Sequence, residues 1–174
     1  PSRALTLNLT LALGFLAAAA PGRAEDWPAW RGPAHTGVSQ ETAWSASWPK
    51  KGPRQLWKAS VGTGFASFAV ADGRALTLGN TAGQDTVFCF DAVSGAERWR
   101  YSYACPVDAN DHEGGPAATP TVVNGRAYTL SKRGHVICLD VVTGQPVWRR
   151  SLLDDQRGVT KPDWGFAGSP LVEG

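Results

Sequence analysis

The sequence has no methionine, only three cysteines, and a charged fraction of 18%. Each shortage excludes something. Cys89, Cys105 and Cys138 are an odd set, too few for a disulfide-stapled scaffold, and no two of them are adjacent. Of the 17 Lys and Arg, Arg3 and Arg23 precede position 25, so the rest of the chain carries 15 bases against its 15 acids. A net charge of zero there lacks the basic excess that nucleic-acid binding draws on. Apolar residues at helical spacing are missing outside the front segment, and no second long apolar run offers a bilayer span. What is plentiful is aromatic and turn-forming: eight Trp, 20 Gly and 12 Pro. Low charge with so much aromatic content excludes a disordered chain. The missing methionine fits a start that is trimmed or truncated.

Residues 4–20 form an apolar run with Arg3 before it and Pro21-Gly22-Arg23-Ala24 after it. A basic residue, a short apolar core and a small-x-small exit make a secretory leader, with cleavage expected after Ala24. The competing reading is a membrane anchor. Asn8, Thr6 and Thr10 make the run poor for a span of about 20 residues. No Cys lies near the exit, so lipid attachment there is not expected. The chain is therefore expected to be secreted or periplasmic, with no membrane span once residues 1–24 are removed.

The remainder repeats itself. Residues 87–100 read Val-Phe-Cys-Phe-Asp-Ala-Val-Ser-Gly-Ala-Glu-Arg-Trp-Arg, and residues 136–149 read Val-Ile-Cys-Leu-Asp-Val-Val-Thr-Gly-Gln-Pro-Val-Trp-Arg. Cys, Asp, Ser or Thr, Gly, Trp and Arg recur at an offset of 49 residues. Upstream, residues 70–78 match residues 122–130 at an offset of 52, so the connection between the paired segments absorbs three residues. A third copy opens at Ser169-Pro170. Asp72-Gly73 and Asn124-Gly125 lie between apolar runs, a strong hairpin signal because the tight turn needs positive φ. Asp91 to Gly95 and Asp140 to Gly144 mark a second hairpin turn in each copy. There Asp accepts turn N–H groups and Gly takes the left-handed position. Two hairpins per copy make a four-stranded sheet, and a period of 40–50 with four strands is a propeller blade. The predicted fold is all-β: a partial β-propeller of antiparallel four-stranded blades over about 55–104 and 115–155, with a third starting near 165. Residues 25–54, rich in Pro and Trp, are expected to form an irregular strap with at most one short strand near Trp27–Trp30. Propellers close with four to eight blades, so this chain is expected to be part of a longer one.

The motif Asp-x-x-Ser/Thr-Gly-x-x-x-Trp after an apolar strand resembles the repeat of pyrroloquinoline-quinone-type (PQQ-like) β-propellers. Asp91, Ser94, Gly95 and Trp99 fit it, as do Asp140, Thr143, Gly144 and Trp148. The resemblance covers about residues 55–174. The opening Asp26-Trp27-Pro28-Ala29-Trp30-Arg31-Gly32-Pro33 is similar to the start of secreted bacterial members. The group includes quinone enzymes, the quinoprotein alcohol dehydrogenase-like proteins, and cofactor-free assembly scaffolds of the BamB type. In the family the residue two before the motif Asp is small, and the motif Trp stacks over it and against the glycine peptide of the next blade. Carried over, Trp99 should lie between Cys89 and Gly144 as an inter-blade clamp. Trp148 should do the same toward a third blade, over Cys138, with its outer face bare.

The vicinal cysteine pair of quinoprotein dehydrogenases is absent from the sequence, and the family's calcium and base carboxylates find no counterpart. No catalytic, cofactor or metal residue is assigned. PQQ and calcium enter only if blades outside this chain supply their site. The implied role is a non-catalytic binding or assembly scaffold for protein or peptide partners, engaged through the propeller loops. The alternative is the N-terminal part of a PQQ-dependent oxidoreductase. Asp108, Asp111, His112 and Glu113 form the most polar loop and are candidates for metal or acid–base work, against a plain solvated turn. Trp27, Trp30, Trp44 and Trp48 offer an aromatic surface, against a strap packed on the propeller. His35 and His135 read as isolated. Cys89 and Cys138 are expected to be buried, unbonded and inert, and Cys105 to be the exposed thiol.

Overall fold

Asp72 and Asn124 both sit at φ 49°, and the glycines after them at φ 69° and 70°. These Asp-Gly and Asn-Gly pairs therefore make the primed turns that match the natural twist of a hairpin. Around them the computed structural model, which describes residues 24–42, 44–107, 114–154 and 158–173, folds into two blades. The first holds β1 (Ala69–Ala71), β2 (Arg74–Thr81), β3 (Gln84–Asp91) and β4 (Glu97–Ala104). The second holds β5 (Thr121–Val123), β6 (Arg126–Leu130), β7 (His135–Asp140) and β8 (Pro146–Ser151). Each sheet runs in sequence order, all antiparallel. No helix occurs among the described residues. The chain is a segment of a β-propeller.

The three-residue difference between the copies lies in the β2–β3 hairpin. β2 and β3 are eight residues each and turn through Ala82-Gly83, whereas β6 has five and β7 six, joined through residues 131–134. Ala82 takes φ 51°, a left-handed position that a non-glycine residue adopts only in a tight turn.

The alternation of the strands sets the packing. Leu76, Cys89 and Trp99 stand in register across the first sheet, as do Leu78 and Val87. Side chains at alternate positions share a face, and this face buries against Ala127, Ile137 and Leu139 of the second sheet and Val141 just after it. The other face of blade 1 carries Phe88 and Phe90, stacked with centroids 5.8 Å apart. Phe90 meets Trp57 at 5.7 Å. With both faces covered, β3 is buried at six consecutive positions, Asp85 to Phe90, and its Val87–Phe90 stretch is apolar without alternation for that reason.

Residues 25–54 contain no regular strand among those described. Trp27 makes an isolated antiparallel bridge to Val70 on the free edge of β1, through bonds of 2.7 and 2.9 Å. The next carbonyl, of Pro28, accepts the Val122 N–H of β5 at 2.8 Å. One short stretch thus closes the innermost edges of both blades. Of the strap tryptophans, Trp27 is half-buried against Gly32, and Trp30, Trp44 and Trp48 are exposed. The expectation of a packed strap holds for Trp27 alone.

Candidate functional site

The recurrent residues first build their own turns. Asp91 Oδ1 accepts from the Val93 and Ser94 amides and the Ser94 hydroxyl at 3.1, 2.8 and 2.9 Å. Asp140 does the same with Val142 and Thr143 at 3.1, 3.0 and 3.0 Å. Gly95 and Gly144 follow at φ 73° and 71°, donating back to the Asp carbonyls. The Ser94 amide and then the Arg98 guanidinium hold the Asp91 carboxyl well below the usual carboxylate range. Thr143 holds Asp140 down in the same way. Each Asp also carries an arginine at 2.6 Å, but from different strands: Arg98 of β4 in blade 1, Arg126 of β6 in blade 2. The position equivalent to Arg98 in blade 2 is Val147, so blade 2 recruits its arginine from a different strand.

The turns then receive a tryptophan from the preceding unit. Trp99, 9% exposed, pairs with Cys89 in register. Its ring covers Gly144 so closely that a Cβ there would fall 2.5 Å from it. Its Nε1 donates to the Val141 carbonyl at 3.0 Å. Trp99 is therefore the clamp between the blades. Trp148 occupies the same place on β8 opposite Cys138 and is 41% exposed.

A third member of this set was missed in the sequence. Trp57 covers Gly95, and its Nε1 donates to the Ala92 carbonyl at 3.0 Å, matching Trp99 toward blade 2. The signal was present. Leu56-Trp57-Lys58 has the same apolar-Trp-basic order as Val147-Trp148-Arg149, without the Asp-x-x-Ser/Thr-Gly that precedes Trp99 and Trp148.

Between the outer parts of the blades lies a groove of 460 Å³ lined by Tyr103, His135, Ile137, Arg149, Arg150 and Ser151. Arg149 donates to the Tyr101 hydroxyl at 3.1 Å, and His135 meets the Tyr103 ring edge-on at 5.6 Å. Beneath it, Asp85 is 1% exposed and accepts from Asn80 Nδ2 at 2.7 Å. The same amide reaches the Cys105 carbonyl at 2.8 Å. Burial pushes the Asp85 carboxyl up, opposed by hydrogen bonds from Asn80, Cys105 and Tyr103 and by the nearby His135. This buried polar knot spans the two blades. His135 belongs to it and is not the isolated residue the sequence suggested.

Cys105 also corrects the sequence reading. It is 3% exposed, not the accessible thiol. The backbone after β4 turns inward, with Cys105 donating to Gly83 at 2.9 Å. Burial and then the Asp85 charge push its thiol up to about 12. Cys89 is pushed up to about 11 by burial, and Cys138 is raised by the same cause. All three thiols are free and buried. Cys89 faces blade 2 while Cys138, in register with Tyr128 and Trp148, faces away on the far side of that sheet.

Asp108, Asp111, His112 and Glu113 lie outside the described residues. Among the described residues no three His, Cys, Asp or Glu side chains converge to hold a metal ion. Asp91 and Asp140 are turned into their own loops. No described helix is long and apolar enough to cross a membrane.

The sequence model of the family described as outer membrane protein assembly factor BamB matches residues 38–160 and 107–174. The chain belongs to this PQQ-like repeat family. Among solved structures, BamB from Moraxella catarrhalis is 25% identical over 56% of this chain and 28% of its own, with a TM-score of 0.43. A quinohemoprotein alcohol dehydrogenase from Pseudomonas putida is 23% identical over 67% of this chain and 16% of its own, TM-score 0.47. The corresponding enzyme from Comamonas testosteroni is 22% identical over 64% and 16%, TM-score 0.45. The chain thus spans less than a third of the length of these structures. No curated protein sequence matches it significantly.

Proposed function

We propose that the chain belongs to an exported propeller that acts as a binding and assembly scaffold for protein or peptide partners. The observation that carries this reading is the use of the repeated side chains. Asp91, Ser94, Gly95 and Trp99, with Asp140, Thr143 and Gly144, are consumed in turns and in the clamp between blades. Recognition then falls to the loops, where Trp30, Phe65, Phe68 and Trp164 are exposed. Rigid aromatic side chains on loops over a stiff scaffold suit protein recognition. The description of the matching family, an outer membrane protein assembly factor, supports the same reading. The raised thiols add no nucleophile.

The test is calorimetric titration of the full-length protein with pyrroloquinoline quinone and calcium. The scaffold reading expects no saturable quinone binding up to about 100 times the micromolar range in which a resident cofactor would be held. Saturable binding at micromolar concentration or tighter overturns it and favours the oxidoreductase.

A further inference from the structure

A small-residue exit and an anchored strap meet at Glu25. In the sequence, Gly22 and Ala24 put small side chains three residues and one residue before the Ala24–Glu25 bond. In the structure, Ala24 and Glu25 are exposed. The Glu25 backbone nitrogen lies 2.6 Å from Glu41 Oε1. The residues just after it are fixed to the propeller. Asp26 Oδ2 accepts the Asp72 N–H at 3.0 Å, in the primed turn of the first hairpin. Trp27 bridges Val70, and the Pro28 carbonyl takes the Val122 N–H. Glu41 itself is set by a local turn, its N–H donating to Ser39 Oγ at 3.1 Å.

Given the cleavage after Ala24 that the sequence leads one to expect, we propose that the α-ammonium it would release at Glu25 is held by the Glu41 carboxylate as a latch on the strap. This rests on the export part of the functional reading, not on the scaffold role. In the reaction, water adds to the Ala24 carbonyl and the Ala24 C–Glu25 N bond breaks. Ala24 leaves as a carboxylate and Glu25 keeps an amine, which takes up a proton at neutral pH because an α-amine titrates near 7.7–8.0. Before cleavage, Glu41 faces a neutral amide with one N–H. Afterwards it faces a full positive charge with three. A hydrogen bond between ionised groups is about twice as strong as a neutral one. The carboxylates of Asp26 and of Glu25 itself lie on the same short stretch, so the new charge enters an acidic neighbourhood. Cleavage thus converts a passive contact into an ion pair at the start of the stretch that closes the inner edges of both blades.

The experiment uses the full-length protein exported with its own leader from a bacterial host. Intact mass and N-terminal sequencing are expected to give a chain that begins at Glu25. A mature chain beginning at any other residue, or one that keeps the leader, overturns the latch whatever the quinone titration gives. The latch is read by the rate of amine-selective labelling of that N-terminus at pH 7, against the Glu41→Gln variant. An exposed pair of this kind is worth roughly 0.2–1 kcal/mol, which lowers the free-amine fraction by about 1.4- to 5-fold. The processed wild-type protein is expected to label more slowly than Glu41→Gln by such a factor. Equal rates overturn the latch. Both proteins are also labelled in denaturant, where the rates should converge. A difference that persists there overturns the latch equally.

Discussion

The Trp99 indole N–H donates to the Val141 carbonyl at 3.0 Å, so the last strand of one blade is fastened to the turn of the next. The ring covers Gly144, and the Cys89 thiol sits behind it. Three small or flexible features, Cys89, Gly144 and the turn carbonyl, make one socket for a bulky side chain. Trp57 fills the equivalent socket at Gly95.

Removing the ring should therefore open a cavity at the junction. Trp99→Ala is expected to cost about 3–5 kcal/mol, the usual range for a buried aromatic truncated to Ala. Trp57→Ala should destabilise in the same direction. Denaturant unfolding of the full-length protein measures both. A cost for Trp99→Ala no larger than that of an exposed residue such as Trp44 would remove the clamp.

Two glycines of blade 2, Gly125 and Gly144, separate backbone strain from steric conflict. Gly125 and Gly144 share nearly the same φ, 70° and 71°. A Cβ at Gly125 meets nothing within 4 Å, whereas one at Gly144 strikes the Trp99 ring. Gly125→Ala should cost about 1 kcal/mol or somewhat more, from the left-handed backbone alone. Gly144→Ala should cost clearly more, because the ring must also move. Equal melting temperatures for the two variants would contradict the packing.

Asp85 gives stability a pH dependence of its own. Its folded pKa is raised by burial, so between the unfolded value near 3.9 and the raised folded value the native state binds more protons. Stability from this group is then full below about pH 4 and falls as pH rises through the folded pKa. Asp91 and Asp140 are depressed and act in the opposite sense. Their contribution is present above about pH 4 and is lost as pH falls below it. The windows are different, so Asp85→Asn should flatten the decline above about pH 4 and leave the acid limb unchanged. Chemical denaturation from pH 3 to 8 tests this, and an unchanged slope above pH 4 would show that Asp85 is not held in the buried knot.

The thiols should be silent in the folded protein. Cys89, Cys105 and Cys138 are buried with raised pKa values, and the thiolate is the reacting form. Alkylation at pH 8 is expected to be slow for all three and fast after denaturation. Rapid reaction of Cys105 in the native state would restore it as the accessible thiol.

The sequence by itself determined the hairpins, the blade period and the sheet order. These follow from short-range rules: Asp-Gly and Asn-Gly demand positive φ, Asp with Ser or Thr and Gly closes the second turn, and two doubly buried strands read as continuous apolar runs. The resemblance of its repeated motif to the PQQ-like family also implied Trp99 between Cys89 and Gly144, which the structure shows. Tertiary structure alone decided the rest. Trp57 joins the clamps although its own turn motif is absent, since a socket is made by the blade that receives the ring and not by the strand that carries it. Cys105 is buried and His135 drawn into the Asp85 knot, since burial between sheets depends on which faces meet across some 20–50 residues of chain. The strap lies on the inner edges because β1 and β5 leave backbone groups unpaired there. Unpaired edge groups take whatever segment reaches them, and no local pattern names that segment in advance.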